Sequence, residues 1–335
     1  MCQVYSREIL QQKGVRRRET LLDVLLRDRT TQGNLIWATS DYAEFGPGYT
    51  FKDEIRAPLI SGEHADFIQP RVAKAAQAQH SRTKAKAEVF TPAWVCNAQI
   101  NLIDNTWFGQ DYVFNEPDTP SERSWHPTTG KIAFPNRKKR TWKHYVDARR
   151  MEITCGEAPY LVSRYDAVSG EQIPIESRIG FLDRKLRIVA ENTETEEDWI
   201  TWAYRAFQST YGFEYQGDSL FLARENLFAT YIEYFHARYG RMPEMLWLYR
   251  IATVISWNLW QMDGLKCVVP ESCYTTKITE KSLFGDETFE EPCPGCKTGD
   301  RFLHNGIYCV IRDWRSQKNV PFISILKGGG HRANV

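Results

Sequence analysis

Leu21, Leu22, Leu25 and Leu26 fall at i, i+1, i+4 and i+5, a spacing that predicts a short amphipathic helix within residues 16–28. The run NLIW at 34–37 reads as a strand. Glycine and proline then accumulate between residues 42 and 70 (Gly46, Pro47, Gly48, Pro58, Gly62 and Pro70), which predicts turns and loops. The Ala-, Gln- and Lys-rich residues 71–87 predict a helix. Beyond Pro92, Val95, Ala98 and Leu102 recur at helical spacing, and the proline suits the start of a helix running to about residue 104. Residues 109–144 mix Pro, Asn, Ser and basic side chains and predict an irregular insertion.

The regular pattern resumes with a strand at 151–155 that meets a turn at Gly156, followed by a helix near 160–165. A second strand at 211–215 leads into a long helix near 219–239, where Leu220, Ala223, Leu227, Tyr231 and Tyr234 share a face. The run VISWNLW at 254–260 reads as a third strand that ends at QMDGL, 261–265, and PFISIL at 321–326 reads as the last strand. Strand and helix in alternation predict an α/β fold with a doubly wound, mostly parallel sheet, whose ligands sit at the carboxyl ends of the strands. The stretch between Cys155 and Glu214 is longer than one crossover helix needs, so residues 166–208 read as a second insertion. The expected organisation is an N-terminal helical and irregular part over 1–87, a core over 88–270, and a cysteine-containing segment over 271–335 that supplies the last core strand.

Composition narrows the class. A chain of 335 residues, 42% hydrophobic and 13% aromatic, can bury a sizeable core. Lys+Arg 43 against Asp+Glu 42 leaves a net charge of +1, so attraction to nucleic acid must come from local patches rather than from the overall field. No apolar run reaches the roughly 18 residues of a membrane span. Residues 1–10 lack the regions of a secretory signal, and the expected location is the cytoplasm with no membrane partner. In that compartment the eight cysteines argue for metal binding or simple burial rather than a disulfide framework.

Four segments carry candidate chemistry, in this order: EVFTP at 88–92, MEITCGEAPY at 151–160, YGFEY at 211–215 and QMDGL at 261–265. Together they resemble the motifs of adenine-specific DNA methyltransferases of restriction-modification systems, which use S-adenosylmethionine. The resemblance spans about residues 85–270. It implies a Rossmann-like methyltransferase fold, double-stranded DNA as the partner and the adenine amino group as the acceptor. Phe90, Thr91 and Pro92 match the family's F-T-P-type motif, and the resemblance implies that Thr91 helps hold the methionine end of the cofactor. A hydroxyl and free amides at a helix start suit a carboxylate. Glu152, Cys155 and Gly156 fall where the family has its glycine-rich first turn, Gly156 letting the backbone approach the cofactor. Ala158 stands where the family usually has a second glycine, which narrows the backbone conformations open to the turn. Glu214 takes the place of the acid that accepts both ribose hydroxyls, a role suited to its two acceptor oxygens, and Asp263 that of the acceptor for the adenine amine.

The family's catalytic signature, an Asn or Asp with two prolines and an aromatic, does not occur, and the last expected strand is followed by KGGG at 327–330. No target-recognition domain is evident. The expectation is therefore a DNA adenine methyltransferase or its cofactor-binding subunit, working with a separate catalytic, specificity or endonuclease subunit. The alternative is a non-catalytic DNA-binding or scaffold subunit stabilised by zinc.

Two further clusters stand outside these segments. Cys293 and Cys296, in CPGC, together with Cys273 and Cys309 compose a candidate four-thiolate zinc site, with His304 and Cys267 as alternative ligands and unligated thiols as the other reading. Arg137, Lys138, Lys139 and Arg140, beside Trp142, are candidates to grip phosphates with an aromatic available for stacking; a solvated surface is the plain alternative.

Overall fold

The computed structural model describes residues 5–14, 18–73, 91–119, 123–282 and 285–328. Its helices are α1 (Leu21–Leu26), α2 (Ala93–Phe108), α3 (Trp142–Asp147), α4 (Phe181–Asn192), α5 (Glu196–Gln208), α6 (Gly217–Tyr239), α7 (Met245–Asn258), α8 (Pro294–Thr298) and α9 (Phe322–Gly328). Its strands are β1 (Asn115–Pro117), β2 (Trp125–Pro127), β3 (Arg150–Ile153), β4 (Thr210–Glu214), β5 (Leu259–Gln261), β6 (Thr276–Ser282), β7 (Gly285–Glu291), β8 (Val310–Asp313) and β9 (Lys318–Pro321). Strands β3, β4 and β5 form a parallel sheet in that order, with Glu152 opposite Gly212 and Glu214 opposite Gln261. The remaining strands pair as the antiparallel hairpins β1–β2, β6–β7 and β8–β9. The fold is mixed α/β around a small parallel sheet, and the larger doubly wound sheet expected from the sequence is not what these strands build.

Helices cover the sheet at β4 and β5, whose residues are almost all buried. Every residue of β4 is buried except Glu214 at its end, as the strand of a helix-covered parallel sheet must be. The crossover from β3 to β4 includes α4 and α5, so residues 181–208, expected as part of an insertion over 166–208, belong to the core. Leu182, Leu186 and Val189 bury one face of α4, and Trp199, Ala203 and Phe207 that of α5. The acidic cluster begins α5: the Thr195 side chain accepts from the Asp198 N–H at 3.1 Å, and Glu196, Glu197 and Asp198 face the positive end of the helix.

Four other expectations are corrected. Residues 254–258 end α7, and only residues 259–261 pair as a strand; Phe322–Gly328 is helical, while β9 before it pairs with β8 outside the central sheet. Residues 160–165 form turns, because the Tyr160 and Leu161 N–H groups donate to Glu152 and their carbonyls accept from Phe181 and Leu182. Residues 34–37 make isolated bridges rather than a strand: the Gln261 side chain accepts from the Ile36 N–H and donates to its carbonyl, both at 2.9 Å. Residues 71–73 form a short 3-10 turn, and the rest of the helix expected over 71–87 lies outside the described residues. Among the described residues no helix is long and apolar enough to cross a membrane.

The N-terminal leucines pack into the same hydrophobic cluster as the sheet, with Leu21, Leu25 and Leu26 fully buried. Each contributes about 1.5–3 kcal/mol by leaving water. A second, polar bond system ties α2 to α4. Arg184 donates to Asp104 at 2.7 Å, and to Asn97 and Asn101 at 2.9 and 2.6 Å, while the Tyr145 hydroxyl donates to Asp104 at 2.9 Å. Both charged side chains are about 1% exposed, so neither can turn to water if the other is removed. Asp104→Ala is expected to lower unfolding free energy by about 3–5 kcal/mol, as for other broken buried pairs. Urea denaturation checks it; a loss below about 1 kcal/mol, the scale of surface pairs, would reject the brace.

Candidate functional site

Parallel strands put their carboxyl ends side by side, so three turns of different sequence origin meet at one edge of the sheet. They are residues 154–158 after β3, Glu214 to Gln216 after β4, and the Asp263 turn after β5. The Cys155 N–H donates to the Phe213 carbonyl at 2.8 Å, and the Met262 N–H to the Glu214 carbonyl at 3.0 Å, which locks each turn to its neighbour.

Glu214 is the link between the first two. Its carboxylate accepts from the Gly156 N–H at 2.9 Å, the Tyr215 N–H at 2.8 Å and the Gln216 N–H at 3.4 Å. Burial raises its pKa above the ordinary glutamate value, against the lowering effect of these three donors. Glu152 lies one layer deeper. Among the described residues it accepts the Tyr160 and Leu161 N–H groups, at 3.3 and 3.2 Å, and burial pushes its pKa well up, with the nearby Glu214 adding to the shift. Burial likewise pushes the Cys155 thiol up; its side chain packs where Gly212 has no Cβ. It is a packed core thiol beneath the turn.

The first turn has glycine geometry without its second glycine. Thr154, Gly156 and Ala158 have φ of 52°, 52° and 67°, alternating with residues that lack positive φ. Ala158 is fully buried, and it adopts a left-handed conformation that glycine takes most readily, at a cost of about 1–2 kcal/mol.

Thr91 and Pro92 open α2, as the sequence suggests, and Phe90 lies outside the described residues. The first amide of that helix is not free for a ligand: the Ala93 N–H donates to Asp166 at 2.6 Å. The helix reaches the first turn through Tyr160, whose hydroxyl donates to Gln99 at 2.5 Å.

Asp263 accepts from the Leu265 and Lys266 N–H groups at 3.1 and 3.2 Å and pairs with the Lys266 ammonium at 3.3 Å. Between Asp263 and Glu214 stands Tyr215, a residue outside the expected set. Burial, with Glu271 and Asp263 close by, moves its hydroxyl up to about 12, and its ring lies edge-on to Phe51 at 6.5 Å. An aromatic following a strand-end acid was the available sequence signal. Two clefts, of about 380 and 480 Å³, lie away from this end of the sheet, the first lined by Arg7, Leu10, Ile60 and Phe221 and the second by Lys143, Trp202 and Arg205.

The cysteines divide. Cys273, Cys293, Cys296 and His304 converge, with their ligand atoms all within 4.8 Å of one another, an arrangement compatible with zinc. Cys309 is not part of this cluster: its thiol is buried and donates to the Gln261 carbonyl at 3.3 Å, and His304 stands in its place. Cys267 is buried apart from the cluster. Burial opposes ionisation of Cys293, but the Asn305 and Cys296 N–H groups and His304 outweigh it and bring its pKa down to about 6. Cys273 is pushed up to about 12 by burial and by the two neighbouring thiols.

Arg137, Lys138 and Lys139 are exposed, as a phosphate-binding run requires. Arg140 lies over the Trp107 ring at 4.8 Å, and Trp142 packs edge-on against Trp202 at 4.7 Å, so these two are engaged within the protein.

Because burial raises Glu152 and Glu214 above their unfolded values, the folded chain holds more protons than the unfolded one in the range just above the ordinary glutamate pKa. Their contribution to stability is full below that value and is lost as pH rises through the folded pKa. Glu152→Gln, which stays neutral, is expected to flatten this part of the profile; denaturation midpoints measured against pH test it, and parallel wild-type and variant profiles would contradict it. Comparison with family models, with curated proteins and with solved structures gives no match.

Proposed function

We propose that the chain binds S-adenosylmethionine at the carboxyl end of β3, β4 and β5, as the cofactor-binding part of a Rossmann-like methyltransferase acting on the adenine amino group of double-stranded DNA in the cytoplasm. The observation that carries this reading is the convergence of Gly156, Glu214 and the Asp263 turn on adjacent parallel strands, in the order in which the sequence supplies them. Glu214 is fixed by three backbone donors, which leave one of its acceptor sites for a ribose hydroxyl. Asp263, held by two backbone donors and the Lys266 ammonium, brings a carboxylate to the same end of the sheet as the half-buried Tyr215. The bound cofactor would supply an electrophilic methyl group for direct displacement by the amine. The exposed Arg137, Lys138 and Lys139 offer charge for a phosphate backbone.

A second reading has its own support. Among the described residues β3 pairs only with β4, and Met151 and Ile153 on this edge strand are 43% and 64% exposed. Phe322 of α9 covers the same sheet over β4 and β5, lying 6.1 Å from Phe213 and 5.3 Å from Trp260. An apolar parallel edge left uncovered favours a sheet extended by a partner subunit that brings the catalytic signature. On that reading the chain alone does not methylate DNA, and the product of a neighbouring gene restores the activity.

Titration calorimetry tests the cofactor site. Binding of S-adenosylmethionine is expected, with Glu214→Ala weakening it about tenfold or more, the scale of a lost charged hydrogen-bond acceptor. The diol needs the ionised carboxylate, so affinity should fall as pH drops from neutral through the raised Glu214 pKa, and Glu214→Gln should remove that dependence. No binding, or binding indifferent to Glu214, would sink the proposal.

A further inference from the structure

The CPGC turn and the two segments flanking it bring four donors to one point with the dimensions of a metal tetrahedron. With Zn–S bonds of about 2.3 Å and Zn–N of about 2.0–2.1 Å, a tetrahedral site separates sulfur from nitrogen by about 3.6 Å. The Nδ1 atom of His304 lies 3.5 Å from Cys273 Sγ, 3.5 Å from Cys293 Sγ and 3.7 Å from Cys296 Sγ.

Two features of the surroundings exist to close this site. The Asn305 N–H points at Cys293 Sγ, 3.3 Å away, a donor that suits a thiolate. Gly295, inside the CPGC turn, lies so close to the His304 ring that a Cβ would sit 2.6 Å from its Cγ and Nδ1, and a Cβ on Gly306 would sit 3.0 Å from Cys273 Sγ. Any larger residue at either place would push a ligand outward.

We propose that Cys273, Cys293, Cys296 and His304, through Nδ1, bind one zinc ion, and that this ion clamps the segment carrying the Asp263 turn to the strand-like segment 307–309. Val268 bridges to Asp263 on one side and to Tyr308 on the other. The Val269 N–H donates to the Ile307 carbonyl at 2.8 Å, and the Cys309 N–H to the Cys267 carbonyl at 3.1 Å. Cys273 follows the first of these segments and His304 precedes the second, so the ion closes their pairing at its open end. Four protein ligands leave no open position, which makes the site structural. Each thiol that still carries its proton releases it to solvent as it coordinates. Lys266, which pairs with Asp263, also feels the Cys273 and Cys296 thiols, so a cation stands between the cluster and the turn. The metal claim is independent of cofactor binding; only the consequence of the clamp for that site rests on the function proposed above.

The full chain, purified under reducing conditions and supplied with zinc, is expected to hold one zinc ion by elemental analysis. Its cobalt form should show the charge-transfer and d–d bands of tetrahedral thiolate coordination. Cys296→Ser and His304→Ala should lose the metal, whereas His304→Cys, Cys309→Ser and Cys267→Ser should keep it. Absence of metal, or metal kept by His304→Ala and lost by Cys309→Ser, overturns the site. Chelation should speed amide hydrogen exchange of Val269 and Cys309 about tenfold or more while β4 stays protected. Unchanged exchange, or loss of protection through β4 as well, overturns the clamp while leaving the metal result standing. None of these readouts uses S-adenosylmethionine, so they fail or succeed separately from the cofactor test.

Discussion

One buried guanidinium holds the architecture together. Arg224, in the middle of α6, is fully buried, and its Nε and Nη2 donate to the Leu259 carbonyl at 2.9 and 2.6 Å. Its remaining donors reach Leu25 and Arg27 at the end of α1 and Ser256 near the end of α7. A helix end leaves carbonyls without partners, and here two such ends converge where water cannot reach them. Each carbonyl left bare would cost about 1–3 kcal/mol. Burial lowers the Arg224 pKa to about 9, with Asp28 opposing the shift, so the side chain remains a cation at neutral pH and all its donors stay in use. An ammonium has three donors without the planar fork, and could not reach the same set.

This constraint explains why the first residues belong to the core and why the sheet end is so fixed. The Arg224 contact to Leu259 sets the start of β5, and the Gln261 side chain sets its end by bonding Ile36 and the Tyr215 carbonyl. Gly217 completes the junction: a Cβ there would lie 2.0 Å from the Ile36 carbonyl, so the start of α6 passes the 34–37 segment at a distance only glycine allows. The Asp263 turn emerges from a strand pinned at both ends. It is then held a second time by its pairing with Val268 and, through Val268, with Tyr308.

What the sequence made legible follows from local chemistry. Gly156, Glu214 and Asp263 were readable because a glycine or acid directly after an apolar run has few roles other than a strand-end turn. The run VISWNLW was misread because it is apolar on all sides: Val254 and Ile255 are buried in α7 as completely as Leu259 and Trp260 are in β5, and periodicity does not separate a buried helix from a buried strand. In residues 166–208 the helical spacing of Leu182, Leu186 and Val189 was present, but the length of the stretch outweighed it. The choice of His304 over Cys309 had no sequence signal. It depends on where the 307–309 segment pairs, which sends the Cys309 thiol inward to Gln261 and leaves His304 facing the CPGC turn.

The carboxyl end of the sheet carries acidic groups whose charged form is disfavoured by burial. Two carboxyl groups, Glu152 and Glu214, are buried within interaction range of each other, and no cation pairs with either among the interactions described. An isolated stabilising role would be better served by amides or by an ion pair, since an unpaired buried carboxylate costs several kcal/mol unless it takes up a proton. Ala158 adds backbone strain at the same place. Backbone donors offset part of the cost of burying the carboxyl groups, since Glu214 accepts three N–H groups and Glu152 two. The metal cluster differs in this respect: its glycines, its Asn305 donor and its four converging ligands satisfy one another, as a brace should. The chain thus combines a sheet end whose buried carboxyl groups are held by backbone donors with a Cys/His cluster beside it, and on the proposal above an ion in that cluster would hold in register the turn that follows β5.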